Sequence, residues 1–139
     1  MLGSAGSVGT QTLDVVADHP ELFAVVALAA RQDSPLFREQ VATHRPEIVS
    51  LKHSPNADFP VTRGTEVLSG DWGLTAAAVH PDADIVVVAT SGHDAIVPTI
   101  HAIKAGKIIA LANKETLVCA GDIIMPLVRA AGRPLRPVD

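Results

Sequence analysis

A short run near the start of the chain has the residue types needed to bind phosphate. Residues 3–9 read Gly-Ser-Ala-Gly-Ser-Val-Gly, a G-x-x-G-x-x-G spacing. Glycines let the backbone turn sharply and approach a ligand, and a helix starting there offers N–H groups and the positive end of its dipole to anions. The run predicts a dinucleotide pyrophosphate site, for which G-x-G-x-x-G is the commoner spacing. A plain loop is the alternative.

A second run, residues 111–115, places three polar side chains directly after an apolar segment, in the order Leu-Ala-Asn-Lys-Glu. A lysine in the first turn of a helix is unfavourable against the positive end of the helix dipole. That placement of Lys114 favours a functional reason, such as binding a phosphate or a carbonyl group. The alternative is structural, with Asn113 as the N-cap and Glu115 as a first-turn acid.

The residues after the predicted strand at 23–29 distinguish between nicotinamide cofactors. An acidic residue there suits the ribose hydroxyls of NAD, whereas a basic residue suits the 2′-phosphate of NADP. Arg31 and Gln32 follow this strand, so NADP(H) is favoured, with Arg31 able to pair with phosphate. Asp33 works against a phosphate, and a merely solvated arginine is the alternative.

A third polar run, Thr-Ser-Gly-His-Asp at residues 90–94, follows the most apolar predicted strand. Open α/β sheets bind ligands at the carboxyl ends of their strands. Ser91 and Gly92 are therefore candidates to contact the cofactor ribose or nicotinamide, and a helix start capped by Asp94 is the alternative. Cys119 is expected to be a buried apolar side chain. The six histidines lack metal-ligand spacing and are expected at the surface.

The segments that must hold these residues alternate between helix and strand patterns. The predicted helices are residues 6–18, 34–44, 72–79, 94–105 and 115–131. The predicted strands are residues 23–29, 47–51, 65–69, 84–89, 107–112 and 135–138. This alternation predicts an α/β, Rossmann-like fold, with one parallel sheet and helices on both faces.

Composition narrows the class of protein. The chain is 47% hydrophobic but only 3% aromatic, as in proteins with buried parallel strands. A net charge of −4 without a basic stripe argues against nucleic acid or an anionic membrane as a partner. No apolar run approaches the roughly 20 residues that span a bilayer, and no secretory signal is expected. The single cysteine excludes an internal disulfide and favours the cytoplasm.

Both ends of the chain indicate a piece of a longer polypeptide. Only Met1 and Leu2 precede the glycine run, where a full strand is expected. The first strand is therefore predicted to be nearly absent, which leaves the central position of the sheet unfilled. At the other end, residues 136–139 follow with no closing helix. We expect residues 1–139 to form a partial NADPH-binding domain, truncated at both ends.

Several phrases together resemble a known family, 1-deoxy-D-xylulose 5-phosphate reductoisomerase, in its N-terminal NADPH-binding part. They are residues 3–16, Pro98-Thr99 with residues 105–107, residues 110–118 with Ala120-Gly121, and residues 137–139. The Ala-Asn-Lys-Glu phrase with the Pro-Val-Asp ending is much more specific than the glycine run.

The resemblance implies an enzyme that makes 2-C-methyl-D-erythritol 4-phosphate, the first committed step of the non-mevalonate isoprenoid pathway. It implies a divalent metal, Mn²⁺ or Mg²⁺, which holds the substrate's oxygens, and NADPH, which delivers hydride to an aldehyde intermediate. The partners it implies are a small sugar phosphate and, for the full-length chain, a second copy in a homodimer.

The resemblance also assigns roles residue by residue. The family usually has Gly-Lys-Asn or similar at the 2′-phosphate loop, where this chain has Arg-Gln-Asp, and its residues 92–95 depart from the small Gly/Ala-rich loop that we expect. The implied residues are Ala5, Gly6, Ser7 and Val8 for the cofactor phosphates, Arg31, Gln32 and Asp33 for the 2′-phosphate, Asn113 and Glu115 for other cofactor contacts, Lys114 for substrate, and Asp139 as first metal ligand of an Asp-Ser-Glu triplet.

Two other classes stay open. Another NADP-dependent dehydrogenase with the same nucleotide-binding fold should lack Ser and Glu directly after Asp139. A non-catalytic nucleotide-sensing module would need an effector domain such as a helix-turn-helix, and the sequence contains no such pattern.

Overall fold

The computed structural model describes residues 1–60 and 62–138, in which helices and strands alternate as predicted. The helices are α1 (Ser7–Asp18), α2 (Pro35–His44), α3 (Gly70–Ala78), α4 (Ile96–Lys104) and α5 (Lys114–Ala131). The strands are β1 (Ala27–Ala30), β2 (Ile48–Leu51), β3 (Glu66–Ser69), β4 (Ile85–Val88), β5 (Ile108–Leu111) and β6 (Leu135–Pro137). None of the described helices is both long and apolar enough to cross a membrane.

Strand β1 begins later than its apolar pattern predicts. The backbone N–H groups of Leu22 and Phe23 donate to the carbonyl of His19, at 3.0 and 3.1 Å, and form a turn after α1. The side chain of Leu22 is 69% exposed. The apolar residues at 22–23 therefore belong to the loop, and β1 begins only at Ala27.

All strand pairs are parallel, and they run in the orders β1-β2-β3 and β4-β5-β6. Leu2 lies between the two halves, in parallel bridges to Ala29 of β1 and Val88 of β4. Its N–H donates to the carbonyl of Val87 and its carbonyl accepts from the N–H of Ala89, both at 2.8 Å. The prediction of an unfilled central position is thus wrong, because this fully buried residue joins the halves into one sheet.

Apolar side chains cover both faces of the sheet. On one face, Ala102 and Ile103 of α4 and Ile124 of α5 pack with α3 in one buried cluster. On the other face, Leu13 of α1 and Phe37 of α2 belong to a second cluster. This arrangement confirms the predicted Rossmann-like α/β fold with helices on both sides.

Candidate functional site

A cavity of about 390 Å³ lies at the carboxyl edge of the sheet. It is lined by residues from five segments, within residues 3–6, 29–34, 50–52, 70–74 and 89–94. Each of the last four segments contains or follows the carboxyl end of a strand, which is where open α/β sheets bind ligands. The glycine run and the Arg31-Gln32 pair, separate in sequence, meet at this cavity.

The three glycines of the turn serve different purposes. Gly3 has φ of +84°, and a Cβ there would lie 2.6 Å from the carbonyl carbon of Ala89. A Cβ on Gly9 would lie 2.2 Å from the carbonyl oxygen of Gly3. Gly6 has an ordinary φ of −79°, and its Cβ would meet protein only at 3.5 Å or beyond. Folding therefore requires Gly3 and Gly9, whereas Gly6 leaves space beside the cavity for a ligand.

The N-terminus of α1 opens beside this glycine. Gly6 is the N-cap, no side chain among the described residues caps the helix, and its first turn holds no acidic residue. The first N–H groups of any helix lack partners within the helix, and here they belong to residues 7–9. The arrangement suits an anionic group such as a pyrophosphate. Ala5 and Gly6 line the cavity, while Ser7 is exposed and Val8 half-buried beside it.

A buried glutamine fixes the glycine turn from behind. Gln40 of α2 is 7% exposed, and its Nε2 donates to the backbone carbonyl of Ser4 at 2.9 Å. The N–H groups of Gly3 and Ser4 both donate to the carbonyl of Ala29, at 2.8 and 3.0 Å. The turn is therefore held in place by hydrogen bonds within the protein.

Arg31 and Gln32 are exposed at the cavity, whereas the neighbouring Asp33 is already paired with an arginine. Arg38 donates to both carboxylate oxygens of Asp33, at 2.6 and 2.7 Å, and also pairs with Asp58 at 3.0 Å. The hydrogen bond from Arg38 lowers the pKa of Asp33 below its usual value. The negative charge that worked against a 2′-phosphate is thus compensated by a neighbouring cation.

Asn113 is buried, and both polar atoms of its side chain form hydrogen bonds within the protein. Its Oδ1 accepts from the N–H of Thr116 at 2.9 Å and so caps α5. Its Nδ2 donates to the backbone carbonyls of Thr90, at 2.7 Å, and Gly92, at 2.9 Å. The cap interpretation is confirmed, and the same side chain ties α5 to the loop after β4.

The other two residues of this run, Lys114 and Glu115, begin α5. Lys114 is exposed at the first position of α5, and Glu115 is half-buried in the next position. Neither belongs to the residues that line the cavity in the described part of the chain. Their assigned contacts to substrate and cofactor remain predictions.

The loop after β4 contributes Thr90, Ser91 and Asp94 to the cavity. The alternative that Asp94 caps the following helix is wrong, since α4 begins at Ile96 and its N-cap is Ala95. Asp94 instead pairs with Lys52, with 2.5 Å between Oδ2 and Nζ, and this bond lowers its pKa.

Sequence reasoning missed one wall of the cavity, formed by Ser50, Lys52, Gly70, Asp71 and Leu74. A signal for Lys52 was available. It follows β2 in the same way that Arg31 follows β1, and parallel strands end at the same edge of a sheet.

Two further expectations about individual residues are corrected. Cys119 is exposed, because it lies on the outer face of α5. His80 is 5% exposed rather than at the surface. Its Nδ1 accepts from the N–H of Asp82 at 3.2 Å and its Nε2 lies 3.3 Å from Glu47. Both ring nitrogens are thus engaged, and we interpret the contacts among Glu47, His80 and Asp82 as structural.

Asp139, the metal ligand assigned by resemblance, lies outside the described residues.

Known proteins of similar sequence extend along the whole chain. Residues 1–121 match the family model described as 1-deoxy-D-xylulose 5-phosphate reductoisomerase. The reductoisomerase of Thermomicrobium roseum is 51% identical over 140 residues, and that of an Anaeromyxobacter species is 46% identical over 144. Each match covers 100% of this chain and 36% of the relative. The chain thus spans little more than a third of these relatives.

Solved structures of reductoisomerases have the same fold. A complex with NADPH, fosmidomycin and magnesium superposes with a TM-score of 0.91 at 33% identity, covering 98% of this chain and 35% of that one. The enzyme of Zymomonas mobilis with NADPH gives a TM-score of 0.86 at 30% identity, covering 99% of this chain and 37% of that one. With the family match over residues 1–121, these likenesses show that the chain belongs to the 1-deoxy-D-xylulose 5-phosphate reductoisomerase family.

Proposed function

We propose that the full-length protein carrying this chain converts 1-deoxy-D-xylulose 5-phosphate to 2-C-methyl-D-erythritol 4-phosphate, using NADPH and Mn²⁺ or Mg²⁺. The observation that carries the proposal is the uncapped start of α1 at the cavity, in a chain that belongs to this family. Residues 1–139 form part of the NADPH-binding domain of that enzyme.

The residues around the cavity fit NADPH. Neither the φ of Gly6 nor a clash with protein requires glycine at this position, so the missing side chain leaves room for a ligand. The N–H groups of residues 7–9 at the start of α1 can therefore bind an anion. Ala5 and Gly6 would border the pyrophosphate, with Ser7 and Val8 supplying backbone donors. Arg31 and Gln32 would bind the 2′-phosphate, and Asp33 would stay with Arg38. Bound there, NADPH supplies the hydride for the reduction.

The residues assigned to substrate and metal lie after β5 and β6. Lys114 would contact the substrate as an exposed cation at the start of α5. Asn113 and Glu115 would border the cofactor nearby, with Asn113 fixing the loop that follows β4. Asp139 offers carboxylate oxygens, the ligand type that Mg²⁺ and Mn²⁺ prefer. Such an ion takes about six oxygen ligands, so others would come from outside this chain segment or from substrate and water.

The proposal extends to the setting of the enzyme. The substrate is a small sugar phosphate, the assembly is a homodimer of full-length chains, and the compartment is the cytoplasm. Family membership supports the first two, and the single cysteine of this chain supports the third.

The test is an assay of NADPH oxidation by the full-length protein with 1-deoxy-D-xylulose 5-phosphate. We expect turnover that requires both the sugar phosphate and Mn²⁺ or Mg²⁺, and that NADH supports poorly. Binding of NADPH without turnover of this substrate would indicate another NADP-dependent dehydrogenase. NADPH binding with no reductase activity on any carbonyl substrate would indicate a nucleotide-sensing module.

A further inference from the structure

Two cations stand side by side at the carboxyl edge of the sheet. Ala30, the last residue of β1, pairs in register with Leu51, the last residue of β2. The next residues along the chain are Arg31 and Lys52, on strands that lie about 4.8 Å apart. Both residues line the cavity. A phosphate that reaches Arg31 at this edge therefore also lies close to Lys52.

The Lys52 ammonium is engaged by a carboxylate that comes from across the cavity. Its Nζ lies 2.5 Å from Oδ2 of Asp94, and the two side chains are 33% and 40% exposed. The hydrogen bond from Lys52 lowers the pKa of Asp94 below its usual value, and smaller effects of the same sign come from Arg31 and His93. The Asp94 carboxylate thus neutralises Lys52 at the same cavity that Arg31 lines. Asp71 is a further carboxylate that lines the cavity.

We propose that Lys52 is a second cationic ligand of the cofactor 2′-phosphate and that Asp94 takes the place of this phosphate in the free protein. The inference rests on the proposed use of NADPH. A partly exposed ion pair is weak because water screens it, whereas a phosphate dianion makes stronger charge-assisted hydrogen bonds. Lys52 can therefore leave Asp94 when the cofactor binds, and Arg31 and Lys52 together select NADPH over NADH.

A purely structural ion pair makes a different prediction. If Lys52 only tied the loop after β2 to the loop before α4, its loss would affect every ligand of the cavity alike. A 2′-phosphate ligand affects only ligands that carry this phosphate. The difference between NADPH and NADH, and between 2′,5′-ADP and 5′-AMP, separates the two cases.

The experiment is calorimetric titration of the full-length protein with these four ligands. Lys52→Met should weaken NADPH and 2′,5′-ADP about tenfold, as expected for loss of a charge-assisted hydrogen bond, and change NADH and 5′-AMP less than about twofold. Lys52→Arg should retain most of the preference. Lys104→Met, at the exposed end of α4, is the matched control and should change nothing.

Asp94→Asn is an independent test, because it should change the affinity for NADPH in the opposite direction. It frees Lys52 and removes a negative charge, so NADPH and 2′,5′-ADP should bind about two- to fivefold tighter, with NADH unchanged. Equal effects of Lys52→Met on all four ligands, or none, would overturn the inference. If the unmodified protein bound 2′,5′-ADP no tighter than 5′-AMP, both the inference and the proposed NADPH preference would fail. NADPH binding without turnover would fail the proposed reaction alone, because the titrations still decide the role of Lys52.

Discussion

The starts of α1 and α5 both lie at the carboxyl edge of the sheet, but their N–H groups are treated in opposite ways. At α1 the N-cap is a glycine, and within residues 1–60 and 62–138 no side chain caps the helix. At α5 the buried Asn113 caps the helix and binds two carbonyls of the neighbouring loop. A helix start can therefore serve a ligand or the fold, and what separates the two here is whether a side chain already satisfies its donors.

The largest effect should come from Gly3, the glycine that folding requires just before the uncapped start of α1. Gly3→Ala places a Cβ 2.6 Å from backbone atoms of Ala89 in a left-handed conformation. We expect a loss of about 3–5 kcal/mol in the free energy of unfolding of the full-length protein, measured by urea denaturation. Gly121→Ala, where nothing lies within 4 Å, is the control and should be neutral or stabilising. A small loss for Gly3→Ala would contradict the described packing of the turn.

At the start of α5, which Asn113 caps, a substitution should mainly change stability. Asn113→Ala removes the cap and leaves the carbonyls of Thr90 and Gly92 without their donor, which should cost about 2–4 kcal/mol. Asn113→Asp keeps the cap but lacks the amide donors, so its loss should be smaller. The comparison breaks if Asn113→Ala unfolds at the same urea concentration as the unmodified protein.

The open start should respond mainly in binding. Gly6→Ala meets protein atoms only at 3.5 Å or beyond, so the free energy of unfolding should change by less than about 1 kcal/mol. NADPH should bind about tenfold more weakly, a cost of about 1.4 kcal/mol, since the methyl group enters space reserved for the pyrophosphate. Titration of NADPH and urea denaturation, run on the same preparation, check both parts. An unchanged dissociation constant would remove the ligand explanation for Gly6.

The smallest effect concerns the ion pairs that Arg38 forms beside the 2′-phosphate loop. Arg38 lowers the pKa values of Asp33 and Asp58. Both carboxylates therefore stabilise the fold at pH values above their ordinary pKa of about 4, and this contribution disappears as the pH falls through their lowered values. Arg38→Met should destabilise the protein at neutral pH and progressively less in acid. Denaturation curves from pH 7 to pH 3 measure this, and a destabilisation that grew in acid would contradict the pairing.

Local sequence signals were sufficient for most of the fold. Ser34 followed by Pro35 predicted the start of α2, where the Ser34 side chain accepts from the N–H of Phe37. The alternation of helices and strands predicted the parallel sheet. These features depend on neighbours in sequence, which is why they can be read without a structure.

What the sequence could not provide were contacts between distant residues. The pairing of Lys52 with Asp94 spans 42 residues, and the bond from Gln40 to Ser4 spans 36. The central place of Leu2 depends on two strands that come much later in the chain. Such contacts follow from strand order and register, so even a correct list of elements leaves them undetermined.

Hydrogen–deuterium exchange of the full-length protein with and without NADPH tests most directly whether the start of α1 is the phosphate site. In the free protein the N–H groups of residues 7–9 should exchange fast and that of Thr116, bonded to Asn113, slowly. Saturating NADPH should slow exchange at residues 7–9. Bound NADPH that left exchange at residues 7–9 unchanged would contradict this assignment of the phosphate site.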